Sequence, residues 1–181
     1  MSLNVETGTG ASNSESYISV ASADTYFSDR GNATWAALTT AQKEQALRKA
    51  TDFMLQRYRQ YWKGYRNLST QALDWPRSFV YAEPIIASAV GDPYPQLIDS
   101  NIVPVEVSRA CAELALRSTT YTDGLLPDVS DLVTEETIGP ITTKYDSRSP
   151  DTPLYKSIDA MLSIYLKDGG MNSLTSTVQR A

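Results

Sequence analysis

The sequence predicts a mainly α fold: a small bundle of about four helices, a two-stranded β-ribbon and flexible termini. Three observations carry this. Four windows repeat apolar residues at spacings of three and four, the period of a helix with one buried face. One window, 132–145, alternates with period two around Gly139-Pro140, as a two-stranded ribbon does. The two ends are polar: 1–16 has almost no apolar periodicity, and 167–181 is a polar tail. The 181 residues make one domain with tails, long enough to bury roughly 70% of its unfolded surface. With 41% hydrophobic and 20% charged residues, the composition is that of a folded chain rather than a disordered one.

Residues 1–16 read as a flexible arm: with no aromatic residue and almost no apolar periodicity, they cannot offset the entropy of ordering. Ser19 caps a helix to about Asp29, with Val20, Ala23, Tyr26 and Phe27 on one face and Gly31 past its end. Trp35 and Leu38 lie in a connector. Thr39-Thr40-Ala41-Gln42 is a capping box, with Thr39 at the N-cap and Gln42 at the third helical position. The helix it opens runs to about Tyr61. Its stripe is Ala46, Leu47, Ala50, Phe53, Met54, Arg57 and Tyr58, and Gly64 ends it.

Residues 64–103 read as irregular, and 78–102 as a long loop punctuated by Pro84, Gly91, Pro93 and Pro95. Loops of that length in compact domains serve function or an interface. Pro76 drives Trp75 out of the helical region, so the pair is assigned as a structural anchor. Its indole is expected to fill the gap between the second and third helices. Pro104 fits the first turn of the third helix, which runs to about Thr119 with Val107, Ala110, Cys111, Leu114 and Ser118 facing in.

Asp123-Gly124 and Pro127 break the chain before the ribbon, 132–145, which is expected to project and make intersubunit or tail contacts. Thr152-Pro153 opens a last helix, 153–166, with Leu154, Ile158, Met161, Leu162 and Tyr165 inward. Asp168-Gly169-Gly170 stops it. Residues 17–166 are then the helical domain and 167–181 a polar tail. In that tail Met171, Leu174 and Val178 form a nascent apolar stripe, a candidate docking element.

The chain contains no histidine and one cysteine, Cys111. That excludes histidine-based nucleophile systems, intrachain disulfides and cysteine-cluster metal sites. No group of residues supplies nucleophile, base and orienting partner together, so neither catalysis, metal nor cofactor is expected. The net charge of -5 disfavours a generic duplex-DNA binder, which carries a basic excess. Residues 1–13 lack the basic-then-apolar pattern of a signal peptide. The most apolar stretch, 85–90, falls far short of the ~18 residues of a membrane span. A cytoplasm-like compartment and no membrane partner are expected.

Two charged stretches invite function. Between 57 and 66, Arg57, Arg59, Lys63 and Arg66 interleave with Tyr58, Tyr61, Trp62 and Tyr65. Bases stack on aromatics and phosphates pair with cations, so this is a possible single-strand platform. The competing reading is a helix C-terminus, where cations suit the dipole and the aromatics pack inside. Residues 121–136 carry Asp123, Asp128, Asp131, Glu135 and Glu136 with no cation. They match no calcium loop and read as a solvated acidic face. Alternatively, this patch on one subunit meets the basic 41–66 patch of the next.

Several phrases accumulate in order. They are Tyr17-Ile18-Ser19-Val20 before Ala23-Asp24-Thr25-Tyr26-Phe27; Ala46-Leu47-Arg48-Lys49-Ala50-Thr51-Asp52; Ala72-Leu73-Asp74-Trp75-Pro76-Arg77; Ile102-Val103-Pro104 before Ala112-Glu113-Leu114-Ala115-Leu116-Arg117; and Gly139-Pro140-Ile141. Together they resemble the head-tail adaptor (head-completion, or connector) proteins of tailed bacteriophages. Members of that group are often labelled DnaT-like single-stranded DNA-binding proteins. The resemblance covers about residues 17–166. It implies a small, mostly helical virion protein, made in the host cytoplasm and built into a closed ring, commonly of about twelve copies. The ring sits between the portal protein and the tail or a second adaptor, extends the DNA channel and presents a docking surface. Double-stranded DNA passes through without sequence-specific binding. An acidic subunit suits this, because it avoids a strong grip on phosphate; about twelve copies at -5 each would give roughly -60. The free chain is expected to be monomeric and to form the ring only on the portal. Two other readings stand beside this one: single-stranded DNA binding through 57–66, and a regulator acting as a discrete dimer.

Overall fold

The computed structural model describes residues 2–81, 96–121, 124–126 and 155–167, and the backbone of the strands at 135–138 and 141–144. Among them are five α-helices: α1 (Val20–Ser28), α2 (Ala33–Ala36), α3 (Thr40–Tyr58), α4 (Val105–Ser118) and α5 (Lys156–Leu162), the last continued by a 3-10 turn (Ser163–Tyr165). Two antiparallel ladders accompany them: β1 (Tyr65–Arg66) with β2 (Arg77–Ser78), and β3 (Glu135–Ile138) with β4 (Ile141–Lys144). The chain is mainly α with a two-stranded ribbon.

The centre is α3 against α4, with α5 laid on α4. α3 starts where its capping box says. Gln42 N donates to Thr39 Oγ1 at 3.3 Å, and Thr39 N donates to Gln42 Oε1 at 2.9 Å. Its whole expected stripe, from Ala46 to Tyr58, is buried, as is the expected inner face of α4. At the seam the Cys111 thiol sits 3.4 Å from Thr51 Oγ1, and the small side chains around it let the helices approach closely.

Several boundaries differ from expectation. Trp35 belongs to a one-turn helix rather than a connector, because Asn32 Oδ1 accepts the Trp35 N–H at 2.9 Å and caps it. α3 stops at Tyr58, not Tyr61. Beyond it the chain pairs with the segment after α5: Lys63 N donates to Tyr165 O at 2.9 Å and Lys167 N to Tyr61 O at 2.7 Å. Pro104 stands at the N-cap of α4, one residue outside the helix. α5 begins at Lys156, and 153–154 lie outside the described residues.

The largest correction concerns the N-terminus. Residues 2–16 are not a free arm. Glu6 is buried, and its carboxylate accepts hydrogen bonds from Gly8 N, Gly10 N, Ala11 N and Ser14 Oγ at 2.9–3.0 Å. Glu6 N donates to Ser16 O at 2.8 Å, closing a loop around the charge. A polar segment with few apolar residues is thus ordered largely by charge-assisted bonds, with Leu3 packed against the core. The loop also ties to the body through Ala72 N, which donates to Ala11 O at 3.1 Å. Gly8, at φ +103, lies so close to residue 101 that a Cβ there would fall 1.8 Å from the Asn101 carbonyl oxygen, so no other residue fits.

The ribbon falls inside the expected 132–145. Its register pairs Glu135 with Lys144, Glu136 with Thr143, Thr137 with Thr142 and Ile138 with Ile141. Residues 132–134, 139–140 and 145 lie outside the described residues. So do 82–95 of the long loop and 168–181, which contain Met171, Leu174 and Val178.

Candidate interaction surface

The segment 59–81 is held by three residues in and around the Asp74-Trp75-Pro76-Arg77 phrase. Arg77 is buried and donates to three backbone carbonyls: Lys63 O at 2.7 Å, Gly64 O at 2.8 Å and Asp74 O at 3.1 Å. Gln71 accepts from Leu68 N at 2.9 Å and donates to Leu73 O at 2.8 Å and Pro76 O at 3.1 Å. Trp75 is fully buried, as its anchor assignment requires. Its ring neighbours are Trp62 at 5.7 Å and Tyr165 at 5.5 Å, both edge-on. They come from the chain beyond α3 and from the 3-10 turn, not from facing sides of α3 and α4 as the sequence reading had it.

This lock decides what the 57–66 stretch can do. Arg57 is buried 3.8 Å from Asp159 Oδ2. Tyr58 is buried and its hydroxyl donates to Asp159 Oδ1 at 2.7 Å. Arg59 Nε donates to Asp74 Oδ1 at 3.0 Å, Lys63 Nζ to Ile164 O at 3.0 Å, and Arg66 to Gln71 O. Trp62 is buried as well. The four cations are therefore held by protein acceptors, and two of the four aromatics belong to the core. Tyr61 and Tyr65 face solvent.

Tyr65 is not alone. Phe79, which the sequence analysis passed over as loop, lies 6.3 Å from it, edge to face, and the two rings are 72% and 67% exposed. The backbone explains the placement. Tyr65 pairs with Ser78 in the β1–β2 ladder. Phe79 then takes φ +61, a left-handed conformation that costs a bulky residue of order 1–3 kcal/mol. The turn buries Val80 and sends the chain on to a second ladder, where Ile98 N donates to Val80 O at 2.8 Å and Tyr81 pairs with Leu97. Tyr81, Leu97 and Leu68 are exposed too. The result is an exposed Tyr65–Phe79 pair, with the exposed Tyr81 and Leu97 paired across the next bridge, at the root of the long loop. A Phe held exposed in a strained conformation makes this surface the candidate contact site. No sequence signal pointed to Phe79, because its exposure depends on the turn that Arg77 and Gly64 impose.

The acidic candidates are less gathered. Glu135 and Glu136 sit on β3. Asp123, Asp128 and Asp131 lie outside the described residues.

Three buried tyrosines give the fold an alkaline limit. Burial pushes the hydroxyls of Tyr17, Tyr58 and Tyr165 well above their ordinary value of about 10, and the adjoining carboxylates of Asp74, Asp159 and Glu106 push the same way. In the unfolded chain they ionise near pH 10; in the fold they keep their protons. Their contribution is therefore whole below about pH 10 and is lost as pH rises past it. Thermal melts should show the melting temperature falling above pH 10. An unchanged value up to pH 11.5 would contradict the burial argument.

A family model described as "Putative DnaT-like ssDNA binding protein" matches residues 1–181. No curated protein and no solved structure matches the chain.

Proposed function

We propose, on the premise that the chain belongs to this DnaT-like ssDNA-binding protein family, that it works as a structural subunit of a tailed-phage virion. It would form a ring, about a dodecamer, between the portal protein and the tail or a second adaptor, and extend the DNA channel. One observation supports this best: the cations of 57–66 are held by protein acceptors, whereas Tyr65, Phe79, Tyr81 and Leu97 are left exposed. A surface of that kind gains from covering apolar area against a protein. Phosphate needs positive charge, and here Arg57 and Arg59 are paired with carboxylates in a subunit at -5. The order of phrases that resembles head-tail adaptors supports the same reading. The ribbon and the stripe Met171, Leu174 and Val178 supply further surfaces for portal or tail.

A second reading is single-stranded DNA binding, favoured by the family description and by the Tyr65–Phe79 pair beside Arg66, on which bases could stack. The double variant Tyr65→Ser, Phe79→Ser separates the two. Both side chains are exposed, so the melting temperature should stay within a few degrees of wild type. Assembly onto isolated portal should be lost, with no saturable, salt-sensitive oligonucleotide binding in wild type. Wild-type oligonucleotide binding that the double variant abolishes, together with normal portal assembly, would establish the second reading instead.

A further inference from the structure

A groove of about 580 Å³ runs along α1, from Ile18 before it to Arg30 beyond it, against the first turns of α4, far along the chain from the aromatic surface. Ile18 and Val105 give it apolar walls, and Arg30 and Arg109 give it positive charge. Asp29 is the one carboxylate among its lining residues. Arg30 is preorganised: its guanidinium carbon stands 3.7 Å over the Tyr26 ring, and Nη1 donates to Tyr26 O at 2.9 Å. Arg109 is exposed and has no hydrogen bond or ion pair among the described residues. A partner made for this groove would be an extended peptide that alternates acid and apolar groups.

The chain carries such a peptide. Residues 127–134 read Pro-Asp-Val-Ser-Asp-Leu-Val-Thr, with Asp128 and Asp131 set among Val129, Leu132 and Val133, and no cation occurs anywhere in 121–136. We infer that the groove of one copy takes the acidic segment around Asp128 and Asp131 of a second copy, Arg30 and Arg109 meeting the two carboxylates. This rests on the ring reading and names one of its contacts. The placement suits a ring: the groove includes Arg109 near the start of α4, and the segment follows in the chain after the other end of that helix, Ser118, about 14 Å along the axis from Arg109. A groove on one subunit that takes a different segment of the next makes a head-to-tail contact, the kind that closes rings. Opposite charge on the two surfaces sets the register and rejects reversed pairings.

The test uses the full-length protein and a labelled synthetic peptide of residues 121–136. Fluorescence anisotropy should show saturable binding that weakens with salt. It should also weaken about tenfold or more in the variant Arg30→Glu, Arg109→Glu. Both arginines are exposed, and circular dichroism checks that the variant is folded. The same variant should fail to assemble on isolated portal, and adding Asp128→Lys with Asp131→Lys in the same chain should restore assembly. Equal peptide affinity for wild type and variant, or no peptide binding at all, overturns the inference. If wild type assembles and the arginine variant assembles equally, the groove assignment falls while the ring stands. If wild type never assembles, the ring reading falls, and the peptide titration still judges the groove by itself.

Discussion

Replacing Trp75 with alanine is expected to destabilise the protein by about 3–5 kcal/mol, the range for emptying a fully buried large aromatic site. Trp75 has no exposed surface, and its ring is edge-on to Trp62 and Tyr165. Its indole N–H has no hydrogen-bond partner. The loss is therefore one of packing and burial, with no acceptor left orphaned. The cavity cannot collapse easily, because Arg77 ties both sides of the turn to fixed carbonyls. At roughly 2–4 °C per kcal/mol for a chain of this size, the melting temperature should fall by about 6–20 °C. Trp75→Phe should cost markedly less. A fall of under 2 °C for the alanine variant would show that the indole does not hold the turn.

The second large effect is expected at Asp159. It accepts from the Tyr58 hydroxyl at 2.7 Å, lies 3.8 Å from the buried Arg57 guanidinium, and joins α5 to the end of α3. Its removal leaves a buried cation without its carboxylate, so Asp159→Ala should cost about 3–5 kcal/mol in denaturant unfolding. Glu44, whose ion pair with Arg48 is a partly solvated helix-surface contact, is the control: Glu44→Ala should cost about 0.5 kcal/mol or less. Comparable losses at the two positions would show that the Asp159 pair is no different from a surface one. Replacing Arg57 and Asp159 together by apolar residues of similar size should recover much of the loss, since both charges then leave the core.

The helices were legible because their signals are local. Thr39 and Gln42 start α3, the spacing from Ala46 to Tyr58 sets its buried face, and the pattern from Val107 to Ser118 does the same for α4. What composition hid was order built from polar groups. Residues 2–16 look unstructured by hydropathy, yet a single carboxylate, Glu6, gathers their donors. The same limit applies to 57–66. Interleaved cations and aromatics look alike whether they face water or serve as ties. The acceptors that decide the matter, Asp74, Asp159 and the Ile164 carbonyl, are 15 or more residues away from their partners. Phe79 escaped notice for a related reason: its exposure is a consequence of long-range geometry, not of its neighbours in sequence.

The N-terminal loop has a consequence for the order of events during synthesis. Its anchors on the body are late: Ala72 bonds Ala11, the residue 101 backbone receives Gly8, and Ser108 and Cys111 lie against Tyr17 and Ser16. A ribosome adding 5–20 residues per second needs about 3–20 s to make the stretch between the loop and those anchors. Through that interval the loop can close locally around Glu6 and pair Glu15 with Arg48 of α3, but it lacks these later anchors. The part of the domain translated first is thus among the last to be seated, and these long-range closures slow folding relative to a bundle with local contacts alone. Pulse-labelling hydrogen exchange on the refolding chain would see this as late protection of the Ala72 amide relative to the amides inside α3.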